Sequence, residues 1–447
     1  MASPEGWALT LLIVIVLILM WVKWPSASPA TPRAHSKPTP RPLSPRTPDD
    51  CPVCRAAQPS PPPASTPLKP YSLVKDPRGR KKRIVTAGYA CPNPDCLYHG
   101  ITDDQIHALV GCGGHGSQEY IQDLKCQACG TKFSVRYGTV LYRLKTPARR
   151  VGEVLSAVAE GLSVGTAVRV FGHGEFTIRT WLTRAGLHAV SLHEWLFQGL
   201  KLLQVKLDEL CTKTRQEADA LWVWFAGDAR TKVIAVLKVG PRTQPMAHAV
   251  VHTLVKVLAP DCLPIFTSDG LKLYFYALTA HFGNCVETRG RQKPCWQVRA
   301  DLLYGQLIKH CRRRRLVRVE RRALLGSLNQ FQAAMLTFGG SGKIQTAFVE
   351  RLNLTVRQAI AALTRRTGAV AQSPAELLFQ LEWWRAYYHF TRLHTSLDEP
   401  LPEPSLRGGR RLPQRCRRRT PAQAAGITNH RWTIVELLSY PLAMTVG

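Results

Sequence analysis

Alternating apolar and polar residues between positions 201 and 269 predict the strands of a sheet. "KLLQVKLDEL", from Lys201, is the first strand, and "ALWVWFAG" and "TKVIAVLKVG" form a hairpin around a turn at Gly227-Asp228. "MAHAVVHTLVKVLA" has helical spacing, and "LPIFTSD" is a fourth strand. This order predicts a mixed α/β sheet with Asp208 in its first strand and Asp269 at the end of its fourth.

Residues 151–186 have apolar residues at helical spacing and break into three helical stretches at Gly161 and at "GHG", residues 172–174. Ser163 is the predicted N-cap of the second stretch, and Gly186 the predicted end of the third. Three helices with a glycine turn before the last are typical of a helix-turn-helix, whose last helix enters the DNA major groove. The candidate DNA contacts on that helix are Arg179, Thr180 and Arg184. The alternative is an ordinary helical hairpin with a solvated face.

A further helix is predicted after Thr346. Its apolar side is formed by Phe348, Leu352, Val356 and Leu363. Its opposite side carries Glu350, Asn353 and Arg357. Glu350 is therefore expected to be presented as a polar group and not buried in a core.

The segment "WWRAYYHFTRLHTSL" combines aromatic and basic residues. Because aromatic residues at helical spacing more often belong to a core, Trp383, Trp384 and Tyr387 are assigned to packing. Tyr388, Arg392 and His394 are candidates for DNA contact or for support of a metal site. Together with the preceding helix, the predicted DNA-contacting residues are Asn353, Arg357, Arg392 and His394.

The amino-terminal run "WALTLLIVIVLILMWV", residues 7–22, contains no charge and has a tryptophan at each end. As a helix it would rise about 24 Å, slightly less than a bilayer core of about 30 Å. The basic residues all follow it, which predicts a single membrane helix with the rest of the chain on the cytoplasmic side. The alternative is an extension that encodes no functional segment. The next residues are rich in Pro, Ser and Thr and predict a disordered linker, in which Cys51 and Cys54 form either half of a second metal site or a lone knuckle.

Charge and cysteine content restrict the partners and the compartment. The chain of 447 residues has 60 Lys and Arg against 30 Asp and Glu, a formal net charge of +30. That surplus indicates nucleic acid or an anionic membrane surface as partner. The 13 cysteines are spread over a long chain and include CxxC pairs, which favours reduced thiols that bind metal over a disulfide framework.

Four cysteines have the spacing of a zinc site. "CPNPDC" contains Cys91 and Cys96, and "KCQACGTKF" contains Cys126 and Cys129. Two turns that each offer two thiolates supply the tetrahedral set that zinc prefers, and four protein ligands leave no open position, so the predicted zinc is structural. Three residues that lie between the pairs could replace one ligand: His99, Cys112 and His115. The alternative is a set of buried free cysteines.

From residue 89 to residue 400 the chain resembles an insertion-sequence transposase of the DDE class. That resemblance implies a zinc ribbon, a helix-turn-helix and a ribonuclease H-like catalytic core. It also implies two aspartates from neighbouring strands and one glutamate from a later helix, which together hold two divalent metal ions. "VKLDEL" matches the first acidic block, "FTSDGLKLY" the second and "TAFVERLNLTVRQ" the third. The implied catalytic residues are Asp208, Asp269 and Glu350.

The chemistry of these residues agrees with the resemblance. Magnesium prefers carboxylate oxygens and keeps waters that substrate phosphate can replace. Two such ions about 4 Å apart can activate the attacking oxygen and stabilise the leaving one. The expected cofactors are therefore Mg²⁺ or Mn²⁺ at the catalytic site and Zn²⁺ at the cysteines.

The spacing of the third acid departs from the family. Asp269 and Glu350 are 81 positions apart, wider than is common among related integrases, and the stretch between them contains "HCRRRRLVRVERR". We interpret about 285–340 as an insertion. Glu287 and Glu320 lie inside it as rival third carboxylates, and the arginines around Glu320 indicate an ion pair.

The resulting prediction is a multidomain α/β protein with six parts. They are a membrane helix (1–24), a linker (25–85), a zinc ribbon (86–140), a helix-turn-helix (147–190), a catalytic domain (198–400) and a basic tail (401–447) that binds phosphates. The predicted function is cleavage and strand transfer of an insertion element by a homo-oligomer on double-stranded DNA. The alternatives are a nuclease with the same core but no strand transfer, and a membrane-tethered DNA-binding regulator with an inert core.

Overall fold

The computed structural model describes most of the chain after residue 84. The described residues are 85–216, 219–286, 295–313, 315–337, 344–345, 347–365, 367–405 and 414–442. The predictions for the apolar run at 7–22, the linker, Cys51, Cys54 and Glu287 lie outside them. Among the helices of the described residues, none has the length and apolar character that crossing a membrane requires.

A three-stranded antiparallel sheet comes first. Its strands are β1 (Leu109–His115), β2 (Ile121–Cys126) and β3 (Lys132–Ser134), with β2 in the centre. Leu109, Leu124 and Phe133 lie in a small core of their own with Cys91, Cys96 and Cys126. The cysteine-bearing turns are therefore packed against this sheet.

Three helices follow, as the sequence predicts: α1 (Ala148–Ala159), α2 (Val164–Phe171) and α3 (Glu175–Leu196). The Ser163 side chain accepts a hydrogen bond from the backbone N–H of Thr166, so the predicted N-cap is confirmed. Gly172, at φ 72°, ends α2 in the left-handed conformation that favours glycine.

The predicted end of the third helix at Gly186 is wrong, because α3 continues to Leu196. Gly186 lies where α3 meets a later helix. A Cβ atom at this position would lie 2.5 Å from the Cβ and the carbonyl oxygen of Phe379. Glycine is therefore present for close helix packing and does not mark a helix end.

The rest of the chain alternates strands and helices. The strands are β4 (Gln204–Thr212), β5 (Leu221–Asp228), β6 (Ile234–Gly240), β7 (Ile265–Ser268), β8 (Gly283–Val286), β9 (Cys295–Val298), β10 (Tyr304–Arg312), β11 (Arg315–Leu325), β12 (Glu399–Ser405) and β13 (Gln414–Arg417). The helices are α4 (Gln244–Val257), α5 (Leu273–His281), α6 (Leu328–Thr337), α7 (Ala347–Ala359), α8 (Pro374–Ala386), α9 (Pro421–Ala424) and α10 (Ile434–Ser439). The predicted order strand, strand, strand, helix, strand is confirmed in β4 to β7.

Six of the described strands form a mixed sheet in the order β11-β10-β7-β4-β5-β6. The strands β4, β5 and β6 pair antiparallel, whereas β7 lies parallel to both β4 and β10. The predicted turn at Gly227-Asp228 is misplaced, since both residues belong to β5 and the chain turns between 229 and 233.

The stretch interpreted as an insertion, about 285–340, contributes strands to the central sheet. Its strand β10 pairs parallel with β7, and β11 extends the sheet beyond β10. Gly305 in β10 faces Phe331 and Ile344, which belong to the core cluster under this edge of the sheet. Both β10 and β11 therefore belong to the central sheet.

Helices cover both faces of the central sheet. Leu352 and Val356 of α7 pack with Leu377 and Trp384 of α8 against one face. The helices α4 and α5 pack against the other face, in a core that also includes Trp383. Trp383 and Trp384 are both buried, which confirms their assignment to packing. The predicted apolar stripe after Thr346 ends with α7 at Ala359, and Leu363 lies in a separate short helical turn.

Candidate active site

The four predicted zinc ligands lie together. The sulfur atoms of Cys91, Cys96, Cys126 and Cys129 are all within 4.8 Å of one another. The Sγ atoms of Cys91 and Cys129 are 3.5 Å apart, and those of Cys96 and Cys126 are 3.7 Å apart. A tetrahedral zinc with Zn–S bonds of about 2.3 Å requires sulfur atoms about 3.8 Å apart, so this donor set fits the metal.

The three alternative ligands between the pairs do not belong to this group. His99 Nδ1 lies 3.0 Å from the carbonyl oxygen of Cys91. His115 Nδ1 lies 3.1 Å from a carboxylate oxygen of Asp123, and Cys112 is half-buried. His99 therefore orients the chain at a ligand cysteine without joining the ligand set.

Parallel pairing of β4 and β7 brings the two predicted catalytic aspartates together. Lys206 is paired with Thr267, so Asp208 and Asp269 lie side by side two residues farther along the two strands. One backbone N–H, that of Leu271, donates to Asp269 Oδ1 at 3.0 Å and holds this carboxylate at the turn. Asp208, Glu209 and Asp269 offer oxygen atoms within 4.8 Å of one another, a group that could hold a metal ion.

The third predicted acid lines the same cavity as the two aspartates. This cavity of about 390 Å³ is bordered by Asp208, Asp269 and Glu350, and by Lys206 and Lys309. Glu350 lies in the first turn of α7. Its carboxylate forms an ion pair with the Lys309 ammonium group, and both side chains are about half exposed.

Burial and neighbouring acids perturb Asp208. Burial first, and then the charges of Glu209 and Asp269, raise the pKa of Asp208 to about 7. The Asn353 side-chain amide donates to Asp208 Oδ2 at 2.6 Å and partly opposes this effect. Without a bound cation the aspartate is therefore held in an environment that disfavours its charge, which suits a cation ligand.

Glu209 is the residue that the sequence analysis did not single out. It is buried, and its Oε1 accepts hydrogen bonds from the Arg242 guanidinium group at 2.5 and 3.0 Å. Its Oε2 accepts a hydrogen bond from the Tyr274 hydroxyl at 3.0 Å. Burial and the charge of Asp269 raise its pKa. Its position directly after Asp208 in "VKLDEL" was the available signal.

The rival acid Glu320 lies away from the cavity, on β11. Its carboxylate is 3.0 Å from His310 Nε2 and accepts a hydrogen bond from the Arg322 guanidinium at 2.5 Å. These hydrogen bonds lower its pKa. The interpretation of Glu320 as an ion-pair partner is confirmed.

The predicted contacts of the third helix are engaged within the molecule. Arg179 forms ion pairs with Glu175 and Glu376. The Thr180 hydroxyl donates to the carbonyl oxygen of Phe176 at 2.8 Å, and Arg184 donates to that of Tyr142 at 2.8 Å. Binding DNA through Arg179 or Arg184 would require it to exchange these partners.

Of the remaining predicted DNA contacts, most have partners outside the candidate site. Arg357 donates to the carbonyl oxygens of Leu363 and Cys211, and the Arg392 guanidinium is 3.9 Å from the Glu160 carboxylate. His394 lines a second cavity beside α7. Asn353 alone of this set contacts an acid of the candidate site directly.

Models of known protein families give no match to this chain, and curated proteins give none either.

Proposed function

We propose that this chain is a metal-dependent transposase of the DDE class. It binds the ends of a DNA element, cleaves a phosphodiester bond to release a 3′ hydroxyl group, and joins that hydroxyl to target DNA. The observation that carries the proposal is the meeting of Asp208, Asp269 and Glu350 at one cavity, from two neighbouring parallel strands and a later helix. This is the arrangement that the resemblance of the three acidic blocks implies.

The donor set of this cavity suits Mg²⁺ or Mn²⁺, because both ions prefer carboxylate oxygens. A bound pair of ions would supply activation of the attacking oxygen and stabilisation of the leaving one. In this proposal Asp208 of β4 and Asp269 after β7 provide the fixed ligands, and Glu350 completes the set by exchanging its ion pair with Lys309 for the metal. Asn353 orients Asp208 through the hydrogen bond to Oδ2.

The domain arrangement supports the same proposal. We assign the sheet with four cysteines as a zinc ribbon, α1 to α3 as a helix-turn-helix, and the mixed sheet from Gln204 onward as a ribonuclease H-like core. The net charge of +30 suits a chain that must hold double-stranded DNA. Zinc at the cysteines would then be structural, because all four ligands come from the protein.

The proposal is tested with a supercoiled plasmid that carries the gene and its flanking DNA, incubated with the full chain and Mg²⁺ or Mn²⁺. We expect strand breaks at the element ends and joined products. Asp208→Asn and Asp269→Asn should reduce cleavage by orders of magnitude while DNA affinity stays nearly unchanged, because only metal binding is lost. Glu350→Gln should behave in the same way, and Glu320→Gln is the matched control that should retain activity.

The products also separate the alternatives. Cleavage without joined products would identify a nuclease, and DNA binding without cleavage in either metal would favour a regulator with an inert core. Wild-type cleavage by Asp208→Asn would show that the metal-ligand assignment is wrong.

A further inference from the structure

A second cavity lies next to the candidate active site and shares one wall with it. It has a volume of about 520 Å³, and Lys206 lines both cavities. Glu350 of α7 lines the first cavity and the next residue, Arg351, lines the second. Successive residues of a helix point about 100° apart, so α7 presents an acid to one cavity and a base to the other.

The second cavity is basic. Its basic lining residues are Lys206, Lys232, Arg351 and His394. None of the residues described as lining it is an aspartate or a glutamate. Neutral polar side chains also line it: Gln204, Gln345, Thr355, Tyr388, Thr395 and Ser396. Such a wall offers hydrogen-bond donors and positive charge to a ligand.

Neutral groups contact the two lysines. The Lys206 ammonium group donates to the carbonyl oxygen of Gln345. The Lys232 ammonium group donates to the carbonyl oxygen of Ala229 and lies 4.8 Å from the centre of the Phe348 ring. An ammonium group has three N–H donors, and each of these hydrogen bonds uses one.

The carboxylate that acts on Lys232, that of Asp228, already accepts other hydrogen bonds. Asp228 accepts hydrogen bonds from the backbone N–H groups of Gln204 and Thr231, at 3.1 and 2.7 Å, and from the Thr231 hydroxyl at 2.7 Å. Burial lowers the pKa of Lys232, and Asp228 opposes this effect only in part. The pKa of His394 is lowered by burial and then by the charges of Lys232, Arg392 and Arg351, while Asp398 opposes this effect. The cations thus repel one another, and an anion in this cavity would relieve that repulsion.

We propose that this cavity binds a phosphate group of the DNA backbone beside the scissile bond, with Lys232 and Arg351 as its main contacts. The inference rests on the proposed function and adds a subsite to it. Lys and Arg side chains are the usual contacts of phosphate oxygens, and they fix the register of a strand without reading its sequence. Phe348 and Leu352 give the same cavity an apolar wall for the attached sugar.

The probe for the test is thymidine 3′,5′-bisphosphate, titrated into the full chain by calorimetry in magnesium-free buffer at physiological salt. Omitting magnesium separates binding in the basic cavity from binding through a metal at the carboxylates. We expect Lys232→Ala and Arg351→Ala each to weaken binding about tenfold, since charge-assisted hydrogen bonds are lost. Lys232→Arg should restore most of the affinity. Arg230→Ala is the matched control, because Arg230 is an exposed cation of the same turn that does not line the cavity.

Three results would overturn the proposal. They are an absence of binding in the wild-type chain, an equal loss in Arg230→Ala, and failure of a 20-base-pair duplex to displace the bisphosphate. Thermal unfolding of each variant first shows that it is folded, and only folded variants are compared in the binding measurement. Asp208→Asn should keep bisphosphate binding while cleavage is lost, so failure of the subsite and failure of the proposed activity are distinguishable.

Discussion

Two buried histidines connect α3 with the central sheet and should make stability depend on pH. His193 lies on α3, and His389 lies just after α8, with 4% and 0% of their surface exposed. The backbone N–H of Ile234 donates to His389 Nε2 at 2.9 Å, so the proton of His389 is on Nδ1. That atom is 3.1 Å from His193 Nε2, and His193 Nδ1 is 2.7 Å from the carbonyl oxygen of Ala189. This chain of hydrogen bonds requires both rings to be neutral.

The structure opposes protonation of both rings. Burial first, and then the nearby Arg385, lower the pKa of His193 from 6.5 to about 4, although Glu382 favours the charged form. Burial also lowers the pKa of His389 well below its usual value. Above pH 6.5 the folded and unfolded chains both carry neutral imidazoles, so the histidines cause no pH dependence there. As the pH falls below 6.5, the unfolded chain binds protons that the folded chain does not bind. The free energy of unfolding therefore decreases.

The expected size of this loss follows from linkage. At about 1.4 kcal/mol per pH unit, His193 alone lowers the free energy of unfolding by about 2 kcal/mol between pH 6.5 and pH 5. The loss from His193 ends near pH 4, where the folded chain also takes up the proton. His389 adds to it in the same direction.

The measurement is urea unfolding of the full chain, followed by tryptophan fluorescence, at several pH values between 7.5 and 5. His193→Gln should destabilise the chain at pH 7.5 by about 1–3 kcal/mol, because a buried hydrogen bond is lost. Between pH 7.5 and pH 5, the free energy of unfolding of the same variant should fall by about 2 kcal/mol less than that of the wild type. His248→Gln, on the half-exposed side of α4, is the matched control and should keep the wild-type profile. Parallel profiles for wild type and His193→Gln would refute the reasoning.

Two further predictions concern the predicted zinc ligands and the helix contact. Cys126→Ser should lower the amount of bound zinc, measured by elemental analysis, and unfold the region around residues 89–135, because metal binding and folding are coupled there. Cys112→Ser is the control and should retain zinc, and an equal loss of zinc in both variants would contradict the ligand assignment. Gly186→Ala should lower the free energy of unfolding by about 1–3 kcal/mol, because its Cβ would overlap the backbone of α8. Gly165→Ala is the control, because a Cβ at that position meets nothing closer than 3.9 Å, and it should raise the free energy of unfolding by about 0.5–1 kcal/mol. A similar change in the free energy of unfolding of both variants would contradict the predicted overlap of a Cβ at Gly186 with α8.

The local elements of the sheet could be predicted because alternation and turn residues are local signals. The strand that carries Asp208, the strand end before Asp269 and the cap at Ser163 all depend on neighbours within a few residues. The pairing partners of β10 carry no such signal. The wide spacing between Asp269 and Glu350 predicts an insertion there, and the structure pairs β10 of that stretch with β7.

Long-range contacts explain the other differences. Gly186 has the sequence appearance of a helix end, and only its contact with Phe379, 193 positions later, shows why glycine is needed inside α3. Arg184 and Arg357 have the sequence appearance of free cations, yet both donate to backbone carbonyl oxygens. A single sequence gives the charge of a side chain but not the partner that the fold places beside it.

The choice of the third carboxylate illustrates the same point. Glu209 is closer to the two aspartates than Glu350, but both of its oxygens already accept hydrogen bonds, from Arg242 and from Tyr274. The Glu209 side chain is 2% exposed, so turning its carboxylate toward a metal ion would take a buried charge away from the two donors that satisfy it. The ion pair of Glu350 with Lys309 is about half exposed, and such pairs contribute only about 0–1 kcal/mol. Glu350 can therefore exchange its partner for a cation at little loss, whereas Glu209 is fixed in place, where its negative charge helps raise the pKa of Asp208.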